Sequence, residues 1–173
     1  ELMAEGPLDK ANGSSYLVAG RYGIAGVAAT GTSATPYYQD LAFKLDLGRT
    51  KLGRFEVFGM GGNSSIDFIG AQLDSTDLFA DPSTDSYFTS RLAMGGINHF
   101  LQLDEHSYMK TTVGTSYLST RFDQDNYTGA TSDQAAVKYR ATEVEDREQR
   151  YTVSSQYNRK FSPRFHLRTG VVA

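Results

Sequence analysis

Apolar and polar residues alternate along several segments of the chain, as in β-strands whose successive side chains point to opposite faces of a sheet. In "QDLAFKLDL" (39–47) large apolar residues take every second position, and charged or small residues take the others. The same style appears in "SSYLVAGRY" (14–22) and "RFEVFGMGG" (54–62). We therefore predict strands at these three segments. The turn "GRTKLG" (48–53) joins 39–47 to 54–62 as a hairpin.

Further hairpins are predicted in the second half of the chain. The segments "SRLAMGGINHFLQL" (90–103) and "YMKTTVGTSYLSTRF" (108–122) are joined by "DEHS", and the pattern does not assign their faces. The final hairpin is predicted within residues 149–173, around "SPR". Between them, "DQAAVKYRATEVEDREQR" (133–150) has no apolar face at helical spacing. We predict a charged loop there, with at most a short helical turn.

Short and long connections alternate between these strands. The short turns fall near residues 8–13, 48–53, 103–107 and 161–164, and the long polar stretches at 23–38, 63–86 and 123–148. An up-and-down meander with this alternation has its tight turns at one end and its long loops at the other, which is typical of outer-membrane barrels. A soluble sandwich usually mixes hairpins with cross-sheet connections. An antiparallel soluble sheet with one wet face remains the alternative.

The two sides of the predicted strands differ in polarity, as a barrel wall between lipid and a water-filled lumen requires. The residues predicted to face lipid are Leu41, Phe43, Leu45, Phe55, Val57, Tyr151, Val153, Phe165 and Leu167. The residues predicted to face the lumen are Arg21, Lys44, Asp46, Glu56, Gln156 and Arg168.

Composition narrows the functional classes. The 173 residues suffice for one domain, and there is no cysteine for a disulfide framework. With a net charge of −3, the sequence shows no excess of basic residues of the kind that binds nucleic acid. No apolar run approaches the roughly 20 residues of a membrane-spanning helix. Residue 1 is Glu, with no signal-peptide pattern behind it. For an exported product, the true N-terminus is therefore expected to lie elsewhere or to have been removed.

The candidate chemistry is sparse. His99, His106 and His166 have no second ligand at metal spacing, and "DQDNYTG" (123–129) lacks residues that a calcium loop needs, so we expect an ordinary acidic loop there. No feature selects a catalytic serine. We predict no enzyme, no metal and no cofactor.

The wording of several segments resembles TonB-dependent outer-membrane receptors, in the subgroup that carries an N-terminal carboxypeptidase-regulatory-like domain. The resemblance rests on "ELMAEGPLDKANGSSYLVAGRYG" (1–23), "PYYQDLAFKLDL" (36–47), "GRFEVFGMGGNSSIDF" (53–68) and "NHFLQLDEHSYMKTTVG" (98–114). It covers roughly residues 1–120 and depends on the order and spacing of these segments.

The resemblance implies a bacterial outer-membrane receptor whose barrel of about 22 strands is closed by a plug domain. Such receptors take up bulky nutrients, for example metal chelates or oligosaccharides. Its implied partners are outer-membrane lipid, the receptor's own plug, an inner-membrane energising complex and a surface lipoprotein. The chain shows neither plug, energy-coupling box nor regulatory domain and has about eight predicted strands, so we expect an internal segment of the barrel.

Two alternatives remain open from the sequence. About eight strands is also the size of the smallest complete outer-membrane barrels, which have adhesion or structural roles. The second alternative is a soluble β-sandwich that acts as a binding module.

Overall fold

The computed structural model describes residues 1–23, 34–70, 83–128 and 137–173, which form eight β-strands. The strands are β1 (Leu2–Asp9), β2 (Ser14–Tyr22), β3 (Ala34–Thr50), β4 (Gly53–Phe68), β5 (Thr84–Asp104), β6 (Ser107–Thr128), β7 (Val137–Ser162) and β8 (Phe165–Val172). Within the described residues, no helix is long and apolar enough to cross a membrane.

All eight strands belong to one antiparallel sheet, in the order β1 to β8 along the chain. Each strand pairs with its neighbours in sequence, and β1 and β8 do not pair with each other, so the sheet is open. The predicted antiparallel up-and-down arrangement of about eight strands is therefore confirmed. Membership of a closed barrel is a separate prediction.

The short connections all lie at the same end of the strands, which we name the turn end. They comprise residues 10–13, 51–52, 105–106 and 163–164. Side-chain hydrogen bonds to backbone amides close all four. The Asp9 carboxylate accepts a hydrogen bond from the Ala11 amide at 2.8 Å, and the Asp104 carboxylate accepts one from the His106 amide at 2.8 Å. Such Asx turns bend the chain without help from the rest of the fold. The other three connections leave from the opposite end of the strands, which we name the loop end.

The strands extend further towards the loop end than the sequence predicted. The expected charged loop at 133–150 is wrong for residues 137–150, which belong to β7, and the expected acidic loop at 123–129 is wrong for residues 123–128, which belong to β6. Residues 129–136 lie outside the described part of the chain. Charged side chains on adjacent strands pair here, for example Arg121 with Glu143 at 2.7 Å. This pairing stabilises strands that lack the apolar alternation from which a strand can be predicted in the sequence.

Two glycines in the middle of the sheet lie beneath aromatic rings from neighbouring strands. A Cβ atom at Gly59 would lie 2.6 Å from Cε1 of Phe43, which is its direct partner on β3. A Cβ atom at Gly96 would lie 2.5 Å from the Val113 carbonyl oxygen and 2.9 Å from Cζ of Phe58. Glycine at these positions leaves room for the ring of the adjacent strand.

The described residues contain no buried apolar side chain, because no second layer covers either face of the sheet. Val113 is 52% exposed, and Tyr151 is 75% exposed. A soluble domain buries such side chains against another layer. A β-sandwich would place two sheets face to face, whereas the described residues form a single sheet.

Substitution of Gly96 by alanine should destabilise the sheet, since the new methyl group meets a backbone carbonyl that cannot rotate away. We expect a loss of about 1–3 kcal/mol in the free energy of unfolding. Gly61→Ala is the matched control on β4, because its Cβ atom would meet nothing closer than 3.5 Å. Urea unfolding in detergent micelles measures both variants, and an equal loss at the two positions would contradict the packing described here.

Candidate functional site

The pairing register sorts the predicted site residues into two sets, one on each face of the sheet. We name the faces after adjacent residues of β3, as the Phe43 face and the Lys44 face. The Phe43 face carries every residue that was predicted to face lipid: Leu41, Phe43, Leu45, Phe55, Val57, Tyr151, Val153, Phe165 and Leu167. The Lys44 face carries every residue that was predicted to face the lumen: Arg21, Lys44, Asp46, Glu56, Gln156 and Arg168. That these surroundings are lipid and lumen stays a prediction.

On the Phe43 face, a continuous band lacks Asp, Glu, Lys and Arg, and we name it the apolar band. It covers the positions of this face within Ala93–Leu101 on β5, Met109–Tyr117 on β6 and Gln149–Tyr157 on β7. Arg91 and Arg147 border it towards the loop end. The length of each stretch matches the about 9–11 residues with which a tilted strand crosses a bilayer.

One histidine lies inside the apolar band. The ring of His99 stacks on Phe55 with 4.4 Å between ring centroids, and its Nε2 atom lies 2.7 Å from the Leu52 carbonyl oxygen. The ring is therefore held by an aromatic neighbour and by one backbone group, and it points away from the other two histidines of the chain.

The turn-end half of the Lys44 face forms a polar basin with a volume of 530 Å³. It is lined by Lys44, Asp46, Arg54, Glu56, Asn98, Phe100, Tyr108, Lys110, Gln156 and Arg168. Lys44 pairs with Glu56 at 2.7 Å, and Arg54 Nε lies 2.8 Å from an Asp46 oxygen. The Asn98 amide donates to Glu56 at 2.8 Å. Each carboxylate of the basin is thereby paired with a cation.

The polar basin contains more cations than carboxylates. Arg168 donates to the side-chain oxygen of Asn158 at 2.9 Å, which leaves its charge without a carboxylate partner. Lys110 is exposed and has no ion pair within the described residues. The surplus positive charge suits an acidic surface placed against this half of the face.

Towards the loop end, the polarity of the two faces is exchanged. Ile66, Phe88, Phe122 and Val144 form one row across four strands on the Lys44 face. Between this row and the middle of the sheet lie Met60, Leu92, Met94 and Leu118, with Ser64, Ser90 and Thr120 between the two apolar groups. We name this surface the apolar patch; its part on β4, β5 and β6 carries no charged side chain.

The apolar patch was not predicted from the sequence, although the sequence contains a signal for it. In "RFEVFGMGG" the apolar residues stand at odd positions as far as Val57 and at even positions from Phe58. A change of parity without a bulge transfers the apolar residues to the other face. The continuous register between β4 and β5 shows that no bulge intervenes.

On the Phe43 face, the loop-end half carries a charged network centred on Asp85, which is only 2% exposed. Its carboxylate accepts hydrogen bonds from the Gly70 amide at 2.9 Å, the Tyr127 hydroxyl at 2.5 Å and Lys138 Nζ at 2.8 Å. Lys138 Nζ also lies 5.4 Å from the centroid of the Tyr87 ring. The network ties β5, β6 and β7 together.

Opposing effects act on the pKa of Asp85. Burial raises the pKa, but the hydrogen bonds from Lys138, Tyr127 and the Gly70 amide outweigh burial and lower the pKa to about 2. The Asp85 carboxylate and the Lys138 ammonium therefore stay charged at neutral pH. This is a structural ion-pair network rather than a group set to exchange protons near pH 7.

The remaining histidines lie near the turn end, where His106 and His166 line one groove of 320 Å³ together with Arg168. The sequence did not predict this proximity, because the two residues belong to different hairpins. Within the described residues, no group of three or more His, Cys, Asp or Glu side chains is arranged to hold a metal ion.

No protein-family model, curated protein or solved structure matches the chain. The resemblance to TonB-dependent receptors therefore stays a prediction from the sequence. The functional interpretation rests on the geometry of the two faces: an apolar band and a charged network on one, a polar basin and an apolar patch on the other.

The Asp85 network predicts a specific pH dependence. Because the folded pKa lies below the ordinary value of 3.8, the carboxylate stabilises the fold above that value and loses this contribution as the pH falls from about 4 towards 2. We expect Asp85→Asn to cost about 2 kcal/mol in the free energy of unfolding at pH 6. The difference from wild type should shrink between pH 4 and pH 2.

Urea unfolding at a series of pH values measures this difference. Glu145→Gln is the control on the same face: the Glu145 side chain is 32% exposed in its ion pair with Arg147. We expect that control to change the free energy of unfolding by at most about 1 kcal/mol. Asp85→Asn and wild-type curves that run parallel down to pH 2 would show that Asp85 does not act in this way.

Proposed function

We propose that this sheet is part of the wall of an outer-membrane receptor barrel that takes up a bulky nutrient in an energy-coupled way. The observation that carries the proposal is the apolar band: a charge-free stretch of bilayer-spanning length on a face that no protein layer covers. Apolar side chains are stable without a protein layer above them where lipid takes its place.

The charged network beyond the apolar band supports this orientation. Strands of a receptor barrel continue past the outer leaflet into water, where their outward face has to become polar. On β6 and β7 that face changes from Tyr117 and Tyr151 to Arg121, Glu143 and Arg147. Tyrosine at the border is typical of the aromatic girdles of outer-membrane barrels.

In this proposal the Lys44 face lines the lumen, and its polar basin lies at the level of the plug domain. Lys110 and Arg168 supply positive charge that an acidic plug surface can pair. The plug, outer-membrane lipid, an inner-membrane energising complex and a surface lipoprotein are the proposed partners, and the proposed location is the bacterial outer membrane.

Most of the apolar patch, from the level of Leu92 and Leu118 to the row that contains Phe88, lies on the same inner face beyond the loop-end border of the apolar band. In this proposal an incoming nutrient first meets the barrel wall there. The Phe and Leu side chains of the patch alternate with serine and threonine hydroxyls and carry no charge on β4, β5 and β6. Such a surface suits a bulky ligand without dense charge, for example an oligosaccharide or a neutral metal chelate.

The open edges of the sheet favour a large barrel over a complete small one. β1 and β8 each have a partner strand on one side only. Unpaired strand edges cost free energy within a bilayer, and further strands that pair with β1 and β8 would remove this cost. A barrel of about 22 strands provides these partners and leaves room for a plug.

The orientation can be tested with single tryptophans, since the chain contains none. Val153→Trp places the indole on the Phe43 face, and Ser154→Trp places it one residue further along on the Lys44 face. After refolding into phosphatidylcholine vesicles with brominated acyl chains, we expect strong fluorescence quenching at position 153 and weak quenching at position 154.

The two variants control for each other, because they lie at the same height on the same strand. Equal quenching, or stronger quenching at 154, would overturn the assignment of the faces. Failure of both variants to enter vesicles, with a folded chain in plain buffer, would favour the soluble alternative.

The size of the barrel can be tested by disulfide formation, since the chain has no cysteine. Ala4→Cys is combined with cysteine at Leu167, Thr169 or Val171 on β8, and the matched control combines Ala4→Cys with Val18→Cys, its direct partner on β2. We expect a disulfide in the control and none between β1 and β8. Efficient β1–β8 crosslinking within one chain would instead support a complete eight-stranded barrel.

A further inference from the structure

A groove of 690 Å³ crosses the Phe43 face of β1 to β5, level with the loop-end border of the apolar band. Its floor contains Leu2, Gly20, Leu41 and Gly61, and its upper rim contains Tyr22, Gln39, Asn63 and Arg91. The four rim residues form one row across β2 to β5. The apolar floor and the polar rim of the groove are therefore two adjacent rows of residues on the same face.

Arg91 supplies the positive charge of this rim. Arg91, Asn63 and Gln39 are exposed, and within the described residues their side chains have no ion-pair or hydrogen-bond partner. Arg147, in the same row of the Phe43 face, is already paired with Glu145 at 2.6 Å. Arg21 lies on the opposite, Lys44 face and is paired with Asp40 at 3.0 Å. The free guanidinium and the two carboxamides can all donate to one anionic group.

The floor offers space as well as apolar surface. A Cβ atom at Gly61 would meet nothing closer than 3.5 Å, so the surface above this residue is open. Leu41 is 55% exposed beside it. An apolar floor directly below a cationic rim has the polarity of the junction between an acyl chain and a phosphate headgroup.

We propose that this groove binds one phosphorylated glycolipid of the outer leaflet, with its phosphate on Arg91, Asn63 and Gln39 and the start of an acyl chain over Gly61. This inference rests on the proposed function, since the Phe43 face has to meet lipid. The occupant follows from charge complementarity at Arg91 and from the place of the rim, level with headgroups where the apolar band ends.

Isothermal titration calorimetry of the full chain in neutral detergent micelles tests the proposal, with diphosphorylated lipid A as the probe. Arg91→Gln removes the cation, and we expect it to weaken binding roughly tenfold, as for a lost charge-assisted hydrogen bond. Gly61→Leu fills the floor without a backbone clash and should weaken binding as well. Arg147→Gln, in the same row but already paired, is the matched control and should leave the affinity unchanged.

Titrations with inorganic phosphate and with phosphatidylcholine distinguish binding of a headgroup alone from binding of the whole lipid. We expect binding of lipid A only, because neither the anion alone nor a zwitterionic lipid satisfies both the rim and the floor. Equal affinity for inorganic phosphate, or lipid A binding that survives both Arg91→Gln and Gly61→Leu, would overturn the proposal.

Quenching of the Val153→Trp chain in brominated vesicles distinguishes this failure from failure of the proposed function. Strong quenching combined with unchanged lipid A binding in the groove variants removes the lipid site and leaves the barrel wall in place. Absence of quenching removes both.

Discussion

The fold depends on the backbone hydrogen-bond ladder of one uncovered sheet. No apolar side chain in the described residues is buried, so the strands are held by pairing with their neighbours in sequence and by side chains that cross from strand to strand. A ladder of this kind satisfies the backbone within the sheet but leaves both faces to their surroundings. What covers each face therefore decides whether the structure is stable.

The polarity of the side chains on each face changes along the length of the strands. Long strands such as β5, β6 and β7 cross from the turn end to the loop end, and their side chains on the Phe43 face change from uncharged to charged on the way. On the Lys44 face, β5 and β6 change from polar side chains such as Asn98 and Lys110 to the apolar patch, whereas β7 carries Arg150, Glu148 and Asp146 there. On β5 and β6 the polarity therefore changes on both faces along the same strand. Close cross-strand packing in the middle of the sheet, such as Phe43 over Gly59, lets the ladder continue through this level without a bulge.

The three polar regions have distinct physical roles. The Asp85 network pairs the buried Asp85 carboxylate with Lys138, so it holds strands together. The polar basin pairs its carboxylates but leaves Lys110 and Arg168 without anionic partners, which suits a docked protein surface. Arg91 at the border of the apolar band is unpaired within the described residues and adjoins an apolar groove, which suits an amphiphile. The difference lies in which charges have partners, rather than in how many charges each region has.

Local alternation was sufficient to predict much of the fold. β2 was predicted with its observed bounds, Ser14–Tyr22, and the four short turns and the meander order followed from turn residues and spacing. The grouping of Leu41, Phe43 and Leu45 on one side of β3 also followed, because side-chain direction alternates strictly within a strand. These features depend only on neighbouring residues.

Features that depend on strand register were decided by the tertiary structure alone. Residues 137–150 looked like a loop because several of their charges find partners on other strands, such as Lys138 with Asp85 on β5 and Glu143 with Arg121 on β6. The faces of 90–122 became clear only once β4 fixed the register. Asp85 meets Lys138, and four rim residues align across β2 to β5, through pairing between segments distant in sequence. Alternation along a strand shows which residues share a side. Only the ladder between strands determines which side chains from different strands meet there.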